Sequence, residues 1–521
     1  MMNEEATSSS PTAKPRGARW RLLIVILIAG VVAYAAMWFI PVRSQQHFNL
    51  NVARVVLFTF AALLIWLLAF SRLRWRVRWA VLGCGVAGIG VLAAFFRIHG
   101  VDGNLVPILE FRWARRELAV PATAPTNAPA SVVAGAADFP QFLGPARNGT
   151  LVGPRLVANW MAQPPTLQWR QPVGAAWSGF VVAGSFAITQ EQRGENETVV
   201  AYDLATGRAL WSHSDPVRYF TTLAGEGPRA TPTVVGQRVF VQGATGWLNC
   251  LDLATGRAVW VKDILKENGG SVPDWGFSSS PLVVDDLVVV NPGGGNNRSL
   301  VAYRVEDGAV RWAAGKRGES YSSPLAATIA GTRQVLIFAS ALVGHDATTG
   351  EVLWEYRWPG GHPHVAMPLR VSETDWILSS GYGTGSGRLS VSRDSSGKWS
   401  ARQVWRTNRL KAKFTNLVLH RGHVYGLDDG ILGCLDTETG DLKWKDGKYG
   451  HGQVLLVGEL LLVMAESGEV AMIDPRPDGL RELTRFTALT GKTWNPPALA
   501  GEYLLVRNDK EAACFRLPVV K

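Results

Sequence analysis

An eleven-residue unit recurs through the last two thirds of the chain and constrains its fold more than any other feature. AYDLATGRALW ends at Trp211, CLDLATGRAVW at Trp260, AYRVEDGAVRW at Trp312, GHDATTGEVLW at Trp354 and CLDTETGDLKW at Trp444. Each copy opens on a small residue, with a Gly six positions later and a Trp four beyond that. Asp holds the third position in all but the third copy, which has Arg304. Weaker copies fill the gaps: VSRDSSG leads, with an insertion, to Trp405, AMIDPRPDG over 471–479 is one residue longer and lacks the Trp, and AACFRLP lies over 512–518. A front segment, TLQWRQPVG, carries Trp169. The spacings between successive tryptophans from Trp169 to Trp444 are 42, 49, 52, 42, 51 and 39 residues, the period of one four-stranded sheet per repeat.

The chemistry of the unit explains its spacing. The Asp ends a strand, and its carboxylate accepts N–H groups of the following turn. The Gly supplies the positive φ of a tight, bulged hairpin. The Trp lies on the outgoing strand as a wedge between neighbouring sheets, and the small residue (Ala201, Cys250, Ala302, Gly344, Cys434) leaves room for a facing ring. Apolar runs such as Arg238–Gln242, Leu287–Asn291, Val335–Ala339, Leu460–Ala465 and Tyr503–Arg507 read as strands covered on both faces. Eight such sheets predict an all-β, eight-bladed propeller over residues 138–521. The front strand with Trp169 completes the last blade, so no sheet edge stays open. A WD-type propeller is the competing fold, but its Gly-His … Trp-Asp order is absent.

Composition enters with the other third. The net charge of +11 divides unevenly. Residues 1–118 hold 14 Lys/Arg against 5 Asp/Glu, whereas the remainder holds 39 against 37. The excess flanks three charge-free runs, Leu22–Ile40, Val55–Phe70 and Trp79–Phe96, each near the length that crosses a bilayer. It therefore reports topology rather than a nucleic-acid partner. Lys14, Arg16, Arg19 and Arg21 precede the first run, and Arg72, Arg74, Arg76 and Arg78 separate the second and third. The positive-inside rule puts both clusters in the cytoplasm and everything after Phe96 outside it. A cleavable signal peptide is the competing reading of the first run. The expected order is a cytoplasmic tail (1–20), three transmembrane helices (21–96), a juxtamembrane segment and Ala/Pro linker (97–137), then the propeller. The expected location is the cytoplasmic (inner) membrane of a bacterium, multi-pass, with the propeller on the periplasmic side. Residues 97–118 are read either as an amphipathic surface helix, with Phe111, Arg112, Trp113, Arg115 and Arg116, or as a basic juxtamembrane stretch.

The Ala-x-Asp-x-x-x-Gly-x-x-x-Trp unit resembles the tryptophan-docking repeat of the pyrroloquinoline-quinone (PQQ)-like propellers, the quinoprotein alcohol dehydrogenase-like superfamily. The segments DFPQFLGPARNG, WGFSSSP, GLDDGILGCLD, KYGHGQ and GKTWNPP resemble bacterial PQQ-binding-like repeat proteins more specifically. The resemblance implies an eight-bladed ring and, in the dehydrogenases, PQQ with calcium. The sequence departs from that pattern: there is no adjacent Cys pair, no Cys-x-x-Cys-His, and no Glu, Asn and Asp trio that aligns as calcium ligands.

Ligands of propellers usually sit where loops enter the innermost strands. The candidates there are Trp177, Ser178, Arg229, Trp275, Ser278, Ser279, Tyr321, Ser322, His362, His364, Lys411, Lys413, Phe414, Asn416, His451, Gln453, Lys492, Trp494 and Asn495. Of these, Arg229, Trp275, Lys411, Lys413, Asn416, His451, Trp494 and Asn495 are the expected cofactor contacts. Cations would pair with quinone carboxylates and tryptophans would stack on the rings. The opposing reading is that these groups satisfy loop backbone and line a wet channel. Either Lys411 or Lys413 is the candidate to polarise a quinone carbonyl; no base is identifiable. His362-x-His364 lacks a third metal ligand. GYGTGSG over 381–387 reads as a flexible turn, and the four cysteines imply no disulfide. The expected function is a membrane-anchored, extracytoplasmic propeller that binds a small ligand or a protein at its mouth. The alternative is a membrane-bound PQQ-dependent dehydrogenase of an alcohol or sugar. The lipid bilayer is the other expected partner.

Overall fold

The computed structural model describes residues 19–40, 45–114, 118, 119, 135, 137–360 and 363–520. Most of the expected N-terminal tail and Ala/Pro linker, with Lys14, Arg16, Arg43, Arg115, Arg116 and His362, lies outside the described residues. The chain forms two compact units, Met1–His99 with Asn104–Ala114, and Gly100–Gly103 with Arg115–Lys521.

The first unit contains three apolar helices. Trp20–Ala36 has 17 residues, Gln45–Ile65 runs on as a π-helical stretch Trp66–Phe70, and Trp75–Phe95 has 21. The second and third are long and apolar enough to cross a membrane. The first is shorter than the expected run to Ile40, because the chain turns after Ala36. Ile28, Val31, Leu57, Phe58, Val86 and Ile89 are each more than half exposed, so these helices present apolar side chains that water solvates poorly. After the third helix, Phe96–Val101 and Pro107–Phe111 pair as a two-stranded sheet. An amphipathic helix is thus not formed. Arg97 and His99, two apart, both reach Glu110, at 2.8 and 3.3 Å, and Phe96 meets Phe111 at 4.5 Å. That alternation is the period of a strand.

The second unit is a ring of eight antiparallel sheets in chain order. They span residues 181–215, 233–263, 282–314, 325–357, 369–407, 418–448, 453–487 and 498–516. Thr150–Leu151 adds a parallel fifth strand to the seventh sheet, Thr150 opposite Leu456. Thr166–Pro172 completes the eighth sheet beside Glu511–Arg516, with Trp169 opposite Cys514, so the ring closes as the sequence implies. The second strand of each sheet is largely buried; Val239, Val288, Leu336 and Leu461 have no exposed area.

The repeat works as its chemistry suggests. The small residue lies opposite the Trp of its own hairpin, as in Ala201 with Trp211 and Cys434 with Trp444, and a bulge follows it. Asp203, Asp252, Asp346 and Asp436 accept N–H groups two or three residues on, at 2.9–3.1 Å. Each indole docks on the next blade. Trp169, Trp211, Trp260, Trp312, Trp405 and Trp444 donate Nε1–H to the carbonyls of Leu204, Leu253, Val305, Ala347, Thr437 and Arg476, at 2.7–3.1 Å. Under five of these rings lies the turn glycine of the next repeat. A Cβ on Gly207, Gly256, Gly308, Gly350 or Gly440 would stand 2.4–2.8 Å from the ring above. Trp354 is the exception: its N–H goes to Gln334 of its own blade at 2.8 Å, and the blade that follows it has an outer hairpin of two nine-residue strands.

Residues 137–151 cross the centre of the ring. Phe139 bridges to Val182 of the first blade, and the carbonyl of Pro140 accepts from Val234 N of the second. Arg147 donates to the carbonyls of Ser280 at 2.6 Å and Pro324 at 3.0 Å, beside the third and fourth blades. The Gly149 carbonyl accepts from Leu456 N of the seventh blade.

Candidate functional site

Loops that lead into the innermost strands stitch the blades together around the channel. Thr231 Oγ1 accepts from Gly179 N, Ser280 Oγ from Thr231 N, and Ser323 Oγ from Ser280 N, at 2.9–3.1 Å. Asn416 Oδ1 accepts from Met367 N at 2.8 Å. Gln453 donates to the carbonyls of Phe414 and Trp494, and Asn495 to those of Ala176 and Ser178, at 2.8–3.0 Å. Much of the polar ring therefore satisfies loop backbone and holds the wheel together.

Above the stitches opens a cavity of about 170 Å³ with mostly apolar walls. Trp177, Arg229, Trp275, Ser278, Tyr321, Phe414, Asn416, Gln453 and Trp494 line it, all candidates from the sequence. Phe142, on the segment that crosses the ring, contributes to its wall, as do Leu223, Val365 and Tyr382; sequence reading missed these. The aromatic rings lock one another. Trp275 meets Tyr321 at 5.5 Å, Trp177 meets Trp494 at 5.0 Å, and Phe414 meets Trp494 at 4.9 Å.

The other expected contacts lie elsewhere or are committed. Lys411 is paired with Asp428 at 2.6 Å and Asp429 at 3.4 Å. Burial would raise Asp428, but Lys411 and Lys445 hold its carboxyl below the usual range. Arg229, buried, donates to the carbonyls of Ala224, Gly225 and Gly227 and covers the Tyr219 ring at 4.5 Å. Burial pushes its guanidinium down to about 10, against the pull of Tyr219 and Glu197. Lys413 and Lys492 stand at the rim in aromatic clamps. The Lys413 ammonium lies 4.9 Å from the Tyr382 ring and 5.2 Å from Phe414; that of Lys492 lies 4.4 Å from Trp177 and 4.3 Å from Trp494. Burial lowers both, Lys413 to about 8. His451, beside Phe414, is pushed down to about 3 by burial and by Lys413, so its ring is neutral near pH 7. His364 stacks on Phe338 and bonds Ser380, inside the wall rather than at a metal.

The residues present do not fit PQQ with calcium. A planar tricarboxylate needs several cations facing the cavity, and of Arg229, Lys411, Lys413 and Lys492 only Arg229 lines it, its guanidinium donating to the carbonyls of Ala224, Gly225 and Gly227. The cavity is smaller than the roughly 300–1,000 Å³ of pockets for drug-sized ligands. Among the described residues no three His, Cys, Asp or Glu side chains gather as a metal site. We derive no redox step at this mouth.

Residues 195–446 match the family model described as outer membrane protein assembly factor BamB. A BamB of Shewanella oneidensis is 24% identical over 300 residues, 53% of this chain and 71% of its own length. Two solved structures share the fold. A europium-containing methanol dehydrogenase superposes with a TM-score of 0.56 at 12% identity, covering 74% of this chain and 98% of its own. The quinohemoprotein alcohol dehydrogenase of Comamonas testosteroni gives 0.50 at 13% identity, covering 74% and 81%. Repeat, ring closure and indole docking agree with these likenesses: the chain has the eight-bladed β-propeller fold of the PQQ-like proteins.

Proposed function

We propose that this protein is a membrane-anchored binding module whose propeller mouth takes a segment of a partner protein. One observation carries the reading: the mouth is an aromatic cavity whose one lining cation, Arg229, is spent on the protein's own backbone. Such a cavity suits a buried apolar side chain of a peptide better than an anionic small molecule. The similarity to an assembly factor supports a protein as the partner class. The arginine-rich segment between the second and third helices supports a cytoplasmic side for that loop. The anchor then lies in the inner membrane of a bacterium, and the propeller in the periplasm.

The test uses a photo-crosslinking amino acid in cells. At Leu223, 53% exposed on the cavity wall, it should trap one discrete protein. At Val404, an exposed position on an outer strand of the fifth blade, it should not. Trp275→Ala with Tyr321→Ala should weaken the Leu223 adduct at least several-fold. An absent adduct, together with saturable PQQ binding and dye reduction by an alcohol or sugar, would overturn the proposal. Alkaline phosphatase fused after residue 118 should be active, and fused after residue 74 inactive.

A further inference from the structure

Four residues remote in sequence from the propeller group with it: Gly100–Gly103. They are held at the rim through their main chain. The Lys492 ammonium donates to the Val101 carbonyl at 3.0 Å, and the Lys413 ammonium to the Gly103 carbonyl at 2.5 Å. Gly103 N–H donates to Glu466 Oε1 at 2.8 Å. Glu466 is itself fixed, accepting from Trp494 Nε1 at 2.7 Å and from His451 N at 2.9 Å. The fit at Gly103 is specific, since a Cβ there would stand 2.0 Å from the His451 ring. The negative charge of Asp102 favours the protonated forms of Lys413, Lys492 and His451. Tyr382, Phe414, Trp177 and Trp494, whose rings clamp the two ammonium groups, also line the cavity.

Two cations and one carboxylate at fixed spacing thus read two carbonyls and one N–H of a short turn, beside a cavity that none of the four residues lines. We propose that the rim is a peptide-recognition site for an acidic, glycine-containing turn of the form apolar–Asp–Gly in a partner protein. The chain's own Val101–Gly103 occupies it as a competitor. The inference rests on the binding reading above and names the chemistry of the partner segment. A partner loop that offers the same turn with a bulky apolar neighbour gains the cavity, which the resident segment leaves unused. The resident segment lowers the apparent affinity for any such loop by the fraction of time the clamp is free.

The probe is a fluorescent heptapeptide of the chain's own residues 99–105, His-Gly-Val-Asp-Gly-Asn-Leu, titrated into the full-length protein in detergent. Gly103→Val removes the resident turn by collision with His451, so affinity should rise about tenfold or more over wild type. Adding Lys413→Ala and Lys492→Ala should abolish the gain. Unchanged affinity in Gly103→Val, or binding that survives loss of both lysines, overturns the proposal. A second measurement needs no variant. Endoproteinase Asp-N cuts before Asp102, and excess heptapeptide should speed that cut in wild type by displacing the turn; an unchanged rate counts equally against it. If the Leu223 adduct persists while both peptide experiments fail, the binding module stands and this recognition chemistry falls.

Discussion

Gly256 and Gly236 lie in one blade with left-handed φ values of +70° and +57°, yet only Gly256 has an indole above it. A Cβ on Gly256 would stand 2.4 Å from Trp211, whereas one on Gly236 meets nothing within 4 Å. Gly236→Ala should cost the left-handed backbone term alone, about 1–2 kcal/mol. Gly256→Ala adds overpacking of a buried ring, for roughly 2–4 kcal/mol in all. Urea unfolding of the two variants measures the difference; equal losses would show that the indole does not rest on the turn. The Gly and Trp positions were legible in the sequence because each has one stereochemical reason to be there. The fate of Arg229 was not. Nothing in a linear string tells a guanidinium which three carbonyls it will find, and so a cofactor cation and a loop staple look alike until the loop is folded.

At the level of strands and hairpins, the repeat predicts well where one hairpin dictates its own shape and poorly where length intervenes. The fifth blade keeps its Gly but extends its outer strands, Gly385–Arg393 and Trp399–Thr407, and there Trp354 bonds Gln334 of its own blade. Among the seven repeat indoles this is the one whose acceptor is a side chain, and it can be deleted. Gln334 has no exposed area, so Gln334→Leu should strand the Trp354 N–H at about 1–3 kcal/mol. Trp354→Phe in that background should recover part of the loss in a double-mutant cycle. A null coupling would mean the bond contributes nothing. The hairpin of Phe96–Val101 and Pro107–Phe111 is neither of the two readings of that stretch, an amphipathic helix or a basic juxtamembrane segment. Its Asp102-Gly103 dipeptide is a turn signal between two short strands whose period-two alternation spans too few residues to stand out from the basic residues around it.

On the scale of the whole molecule, the division of charge, the three apolar helices and the closed ring could be read from the string. The path of residues 137–151 could not, because it depends on a hole that exists only after eight blades have assembled. Arg147 fastens that path. It is 3% exposed, bonded to Ser280, Pro324 and Gln141, and burial pushes its guanidinium down to about 9. Arg147→Met leaves two buried carbonyls unpaired and should cost about 1–3 kcal/mol. Amide exchange at Gly149 and Leu456 should quicken in the same variant; unchanged exchange would mean the segment is held without it. A wheel with its own chain fastened across the hub is a poor conduit. Whatever reaches the aromatic recess must leave by the side it came in on, so its dwell time is governed by a single exit, guarded by two lysines and a glutamate.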